Sequence, residues 1–179
     1  MKVSYNWLKS LIDIPDSPQA LAERFDLTGT AVEALHERGR EFDGVLVGEI
    51  VEKDRHPDAD RLWVTRVDVG GDEPLQIVCG AQNFEAGDRV YVATVGSVLP
   101  GDFEIKKSKL RGVVSEGMNC SGRELGVDDD AEGLLILPAD SPIGMPFAEH
   151  RGIADTILEL EITPNRPDCM SVLGIAREA

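Results

Sequence analysis

Cations and aromatic rings are both scarce in this sequence. Lys and Arg total 18 against 33 Asp and Glu, a formal charge of −15. A surface of that sign argues against binding a polyanion everywhere, because neutralised phosphates supply most non-specific nucleic-acid affinity. Any such contact has to be local, and the remaining acid excess reads as solubility. Phe, Trp and Tyr make up 5% of the chain, which weakens the case for a binder that stacks successive bases on a ladder of rings. The three cysteines, Cys79, Cys120 and Cys169, are far apart, form no CxxC pair and have no neighbouring histidine. That spacing speaks against a zinc site and for reduced, buried thiols in a reducing compartment. No GxSxG elbow and no GxGxxG phosphate loop occurs, so acyl transfer and dinucleotide binding have no support. The longest apolar runs resemble Leu134–Leu137, far below the roughly 20 residues of a membrane span. Met1–Trp7 lacks the apolar core of a secretion signal, and the expected setting is the cytoplasm, with no membrane.

What is present is a succession of short alternating apolar segments: Val45–Val51, Leu62–Val69, Leu75–Val78 and Val90–Val95. Gly, Pro and Asp separate them, as in Gly70-Gly71-Asp72. This predicts a small closed β-barrel, with Leu134–Leu137 as a closing strand, rather than βαβ units. Before the barrel, Tyr5, Leu8, Leu11 and Ile12 share one helical face. Ser17-Pro18 is a helix-start signal, Leu27-Thr28-Gly29 a stop, and Thr30–Leu35 a strand. After the barrel, Asp155–Ile162 alternates as a strand, and Asp168 is placed to cap a final helix. That helix reaches Ala179 with its apolar face intact, as expected of a piece of something longer. The expected class is α+β, mainly β with α.

Several motifs occur in order along the chain. They are Lys2–Leu8, His56-Pro57-Asp58-Ala59-Asp60-Arg61-Leu62 and Cys79-Gly80-Ala81-Gln82-Asn83, then Lys109-Leu110-Arg111-Gly112. Ser115–Ser121, Glu124-Leu125-Gly126 and Ile162–Gly174 follow. In this combination, over all 179 residues, the chain resembles the start of a bacterial phenylalanine–tRNA ligase β chain. Its middle also resembles the tRNA-binding module appended to methionyl-tRNA synthetases. The resemblance implies a helix-helix-strand segment at 1–39, an inserted five-stranded OB-fold tRNA-binding domain at 40–148, and the start of a following domain at 149–179. It implies tRNA(Phe) and the ligase α subunit as partners, in a hetero-tetramer of two α and two β chains. The α chain of that family carries the site for ATP and phenylalanine. The β chain's editing pocket and Mg²⁺ carboxylates lie beyond residue 179. The 179 residues are therefore expected to be catalytically inert and to hold no cofactor or metal, with ATP and Mg²⁺ belonging to the whole enzyme.

For tRNA contact the candidates are His56 and Arg61, at the loop between the first two barrel strands, and Asn83. The strongest are Lys106, Lys107, Lys109 and Arg111, four cations within six residues on a strand-like segment. Each has a bland counterpart. Pro57, Asp58 and Asp60 set a turn, Asn83 caps its own loop, and lysines defend a strand edge. Trp7 and Trp63 read as core or interface. The rival reading is a purely structural barrel without direct tRNA contact.

Overall fold

The computed structural model describes residues 1–129 and 133–179. In chain order these form β1 (Lys2–Ser4), α1 (Tyr5–Leu11), α2 (Pro18–Thr28), β2 (Ala31–Arg38) and β3 (Val45–Arg55). Next come β4 (Trp63–Asp68), β5 (Leu75–Cys79), β6 (Arg89–Thr94), β7 (Val98–Leu99) and β8 (Phe103–Glu104). The remainder are β9 (Ser108–Leu110), β10 (Val113–Ser115), β11 (Gly117–Asn119), β12 (Ile136–Leu137), α3 (Phe147–His150), β13 (Asp155–Glu161) and α4 (Val172–Glu178).

The chain divides into two compact units, Met1–Arg40 with Ile153–Ala179, and Glu41–Gly152. Residues 153–179, expected to begin a following domain, group here with the first 40 residues. The reason is backbone pairing: β13 lies between β1 and β2, antiparallel to both. The barrel is thus an insertion between two parts of one small unit, and its limits are 41–152 rather than 40–148.

In the first unit, the Ser17 side chain accepts from Ala20 N, Pro18 opens α2, and Gly29 closes it at φ +91°, the left-handed position that glycine fills without strain. Tyr5 and Leu8 of α1 and Leu21 and Phe25 of α2 are buried with Val3, Leu158, Leu160 and Ile175. Leu11 stays exposed. Lys2–Ser4 is a strand whose last residue caps α1 through Trp7 N. The final helix is capped by Ser171, which accepts from Gly174 N, and not by Asp168, which sits in a 3₁₀ turn at Pro167–Cys169.

In the second unit the strand order is β11–β6–β3–β4–β5, all antiparallel, with β12 also on β6. β3 serves two neighbours: Val45–Glu49 pairs with β6 and Glu49–Arg55 with β4. The register shifts between Ile50 and Glu52, a bulge that coils the strand around the barrel corner. Gly48 lies at that crossing, where a Cβ would come within 2.8 Å of Val92 and 2.9 Å of Val67. The gap between β5 and β11 is bridged by Glu116 N donating to Gln76 O (2.8 Å) and Val78 N donating to Ser115 Oγ (3.1 Å). The result is the nearly closed five-strand barrel of the expected OB type. Ile50, Val67, Ile77, Val90 and Val92 form one core cluster, while Val45, Val47, Tyr91 and Ala93, on the other face of β3 and β6, form a second with Phe147. The basic segment is not one strand: Lys106 and Lys107 fall in the connection between β8 and β9.

Candidate nucleic-acid interface

His56 begins the loop 56–62 and is only 5% exposed. Its Nδ1 accepts from Asp58 N at 3.1 Å, which fixes the proton on Nε2, and Nε2 donates to Leu110 O at 3.0 Å. Both ring nitrogens are therefore occupied. The imidazole acts as an internal strut, because its bonds join the 56–62 loop to β9. Arg111 Nη1 reaches Asp58 O across the same seam at 3.5 Å.

Arg111 has φ +43° and Gly112 +93°, and Leu110 pairs with Val113. These are the dihedral signs of a two-residue type I′ hairpin. β10 is held to β5 by Gln76 Nε2 donating to Val114 O at 2.8 Å. The Arg111 tip is thus tied at its base to the barrel and at its turn to the His56 loop.

Arg61 is exposed, and its backbone is fixed from the other side. Gln82 Nε2 donates to Arg61 O (3.2 Å) and Gly80 O (2.9 Å), while Trp63 Nε1 donates to Gln82 Oε1 (3.0 Å). The HPDADRL, CGAQN and KLRG motifs therefore meet at one set of loops. Asn83 is exposed, and its amide is bonded to the backbone. Nδ2 donates to Leu134 O at 3.0 Å and Oδ1 accepts from Leu134 N at 2.8 Å, so its role is to hold the segment entering β12.

The four cations of the basic segment divide in two. Lys106 pairs with Glu104 and Lys107 with Glu116, each at 2.7 Å. Lys107's hydrogen bond and charge hold the Glu116 carboxyl below its ordinary range. Lys109 and Arg111 are exposed and have no carboxylate partner among the described residues. Neither does Arg61. Lys109, Arg111 and Arg61 form the available set.

Sequence reasoning passed over Arg55, Lys53 and Gln82. Arg55 ends β3 directly opposite Trp63, its guanidinium 5.5 Å from the indole centroid. Lys53 lies 4.4 Å from the same ring and 4.6 Å from Phe84, donating to Phe84 O at 2.5 Å. Lys53 is a buried prop, whereas Arg55 is exposed and extends the Arg61 edge. The signal was the Lys53-x-Arg55 spacing at the strand end, which puts both cations beside one cross-strand tryptophan.

One group of metal-ligating types occurs among the described residues, Asp168, Cys169 and Glu178. Arg166 occupies its centre, 2.9 Å from Asp168 and 2.8 Å from Glu178. A guanidinium there already supplies the positive charge, so the group does not fit a cation.

The family model described as "Putative tRNA binding domain" matches residues 45–146, the span of the barrel. Phenylalanine–tRNA ligase β subunits are similar over almost all of this chain. That of Fusobacterium nucleatum subsp. nucleatum is 53% identical over 178 residues, covering 99% of this chain and 22% of the relative. That of Geobacter metallireducens is 51% identical with the same coverages. The chain thus spans about a fifth of the length of the relatives it matches. A solved MetRS related protein from Pyrococcus horikoshii aligns at 19% identity with a TM-score of 0.43, over 62% of this chain and 88% of that one.

Proposed function

The chain belongs to the putative tRNA-binding domain family, and from that premise we propose that it is the tRNA-binding and assembly region of a phenylalanine–tRNA ligase β subunit. The observation that supports this best is the coupling of three loop motifs into one rigid edge carrying Arg55, Arg61, Lys109 and Arg111. Ionic contact with phosphates needs cations that are exposed, not already neutralised, and held at fixed spacing. Lys109, Arg111 and Arg61 meet those conditions on a body of charge −15, so attraction for a nucleic-acid backbone is concentrated on this edge. RNA would be read by shape and backbone, since no rank of exposed rings accompanies the cations.

His56 and Asn83 serve the edge indirectly, as the struts described above. Lys106 and Lys107 flank it and would have to leave Glu104 and Glu116 to reach a phosphate. In the whole enzyme, tRNA(Phe), the α subunit and a two-α, two-β assembly are the proposed partners, in the cytoplasm. ATP and Mg²⁺ serve the aminoacylation site that the family places on the α chain, and the 179 residues contribute binding rather than chemistry.

The test is titration of tRNA into the chain at several salt concentrations. Saturable binding whose logarithm falls linearly with the logarithm of salt supports the reading. Absence of binding even at low salt leaves the barrel as scaffold alone.

A further inference from the structure

A second site lies in the barrel unit, on the part of the surface lined by β6, β12 and the end of α3. Tyr91, Leu135, Ile136, Leu137, Pro138, His150 and Arg151 surround a cavity of about 360 Å³. Its polar groups are donors. Tyr91 is wholly buried, and its ring is set edge-on against Phe147 at 4.8 Å, itself stacked on Phe42 at 4.5 Å. From that fixed ring the hydroxyl lies 2.6 Å from His150 Nδ1. In the tautomer in which the hydroxyl donates, His150 carries its proton on Nε2, an N–H without a partner among the described residues. Arg151 follows at the end of α3, exposed and without a carboxylate partner among the described residues. It lies close enough to the Tyr91 hydroxyl to act against the upward push that burial gives that phenol. The opposite wall, Leu135–Pro138, is apolar, and Ile136 is 40% exposed.

Donors on one side and an apolar wall on the other suit a ligand with an anionic end and a flat, weakly polar body. Inorganic anions alone would leave the wall bare, and the cavity is of the size that holds a small organic ligand. We propose that this cavity binds a nucleoside phosphate, the phosphate on His150 Nε2 and Arg151 and the nucleoside against Leu135–Pro138. The same chemistry is offered by a free mononucleotide and by one nucleotide of an RNA strand. The site shares no residue with the edge carrying Arg61, Lys109 and Arg111, so the two stand or fall separately.

The experiment titrates adenosine monophosphate, adenosine, inorganic phosphate and octanoate into the isotopically labelled chain while following the imidazole signals. There are three histidines; His56 is bonded at both nitrogens and His36 is paired with Glu159, so His150 is separable from them. Adenosine monophosphate should shift His150 saturably and leave His36 and His56 still. Adenosine and phosphate should bind at least tenfold more weakly. Arg151→Ala, an exposed change, should weaken the nucleotide about tenfold or more, the size of a charge-assisted hydrogen bond. Tyr91→Phe keeps the ring and should weaken it severalfold by releasing His150. If the nucleotide displaces tRNA, the strand is the source; if both bind together, the free nucleotide is. The proposal is overturned if adenosine binds as well as its phosphate, if octanoate binds better, or if His150 does not respond, whatever the tRNA titration gives.

Discussion

The division of the basic segment into paired and unpaired cations has a measurable consequence. Replacing Lys109 and Arg111 removes two charges that face no carboxylate among the described residues. Replacing Lys106 and Lys107 removes two that each already neutralise a glutamate at 2.7 Å. Every phosphate contact contributes about 0.7 to 0.9 to the salt slope, so the first pair should lower the slope by roughly 1.4 to 1.8. At about 0.15 M salt this corresponds to a loss of about 15- to 30-fold in affinity. The variant has to spare the turn. Arg111 sits at φ +43°, where arginine and alanine alike carry roughly 1 kcal/mol of strain, whereas asparagine tolerates that region. Lys109→Ala with Arg111→Asn is therefore the informative combination, measured by fluorescence titration of tRNA at four or more salt concentrations. Lys106→Ala with Lys107→Ala should change the slope by less than half as much, since Glu104 and Glu116 already neutralise these two charges. Equal slope losses for the two double variants, or no change for the first, would refute the division.

Three further outcomes follow from the geometry. Gly117→Ala would place a Cβ 2.8 Å from Ala93 O and 3.3 Å from Ile77 Cδ1, with backbone on one side and packed core on the other; a loss of about 1–3 kcal/mol is expected by denaturant unfolding, and an unchanged midpoint would contradict the closure at β11. Glu116 is held below its ordinary value of 4.5 by Lys107. A depressed carboxylate contributes stability that is present above the unfolded value and lost as pH falls through the folded one. Lys107→Ala should accordingly move the Glu116 carboxyl resonance titration back up toward 4.5, and flatten the stability profile on the acid side of that value. Cys120, buried, is pushed up to about 12, and burial also raises Cys79 and Cys169, so a thiol reagent at pH 8 should label none of the three until the chain is unfolded. Rapid labelling of the folded chain would show that the cores containing them open.

The architecture was legible where side-chain periodicity carries it. Alternation located β3 to β6 within a residue or two at most ends, and the Ser17-Pro18 and Gly29 signals bracketed α2 because caps depend on nearby residues alone. What failed depended on partners distant in sequence. Lys2–Ser4 is a strand only because β13, over 150 residues later, pairs with it, and no local pattern marks three residues as an edge. The same pairing groups 153–179 with the first 40 residues, which no local pattern announces. Asp168 lost the cap to Ser171 because the Pro167 turn delays the helix by one further turn.

The candidate site shows the same limit at the level of chemistry. Residue type suggested His56 and Asn83, since both are common at RNA surfaces, but type does not say which way a side chain turns. Each instead spends its hydrogen-bonding groups on backbone: His56 on Leu110 and Asp58, Asn83 on Leu134. Charge density suggested Lys106 and Lys107 equally with Lys109 and Arg111, and only the positions of Glu104 and Glu116 separate them. A chain with 33 acids and 18 bases will neutralise most cations somewhere, so an exposed cation without a carboxylate partner carries more information than a cation as such. Arg61, Lys109 and Arg111 have that property: Arg61 and Arg111 are each bonded to a neighbouring loop, and Lys109 sits opposite Val114 in the hairpin whose Leu110 is held by His56. A solvated edge needs no such bracing. Cations meant to meet a phosphate backbone do, because an unbraced arginine or lysine loses up to about 2 kcal/mol of side-chain entropy on being fixed by the partner, and bracing the loops beforehand restricts the search to the side chain alone.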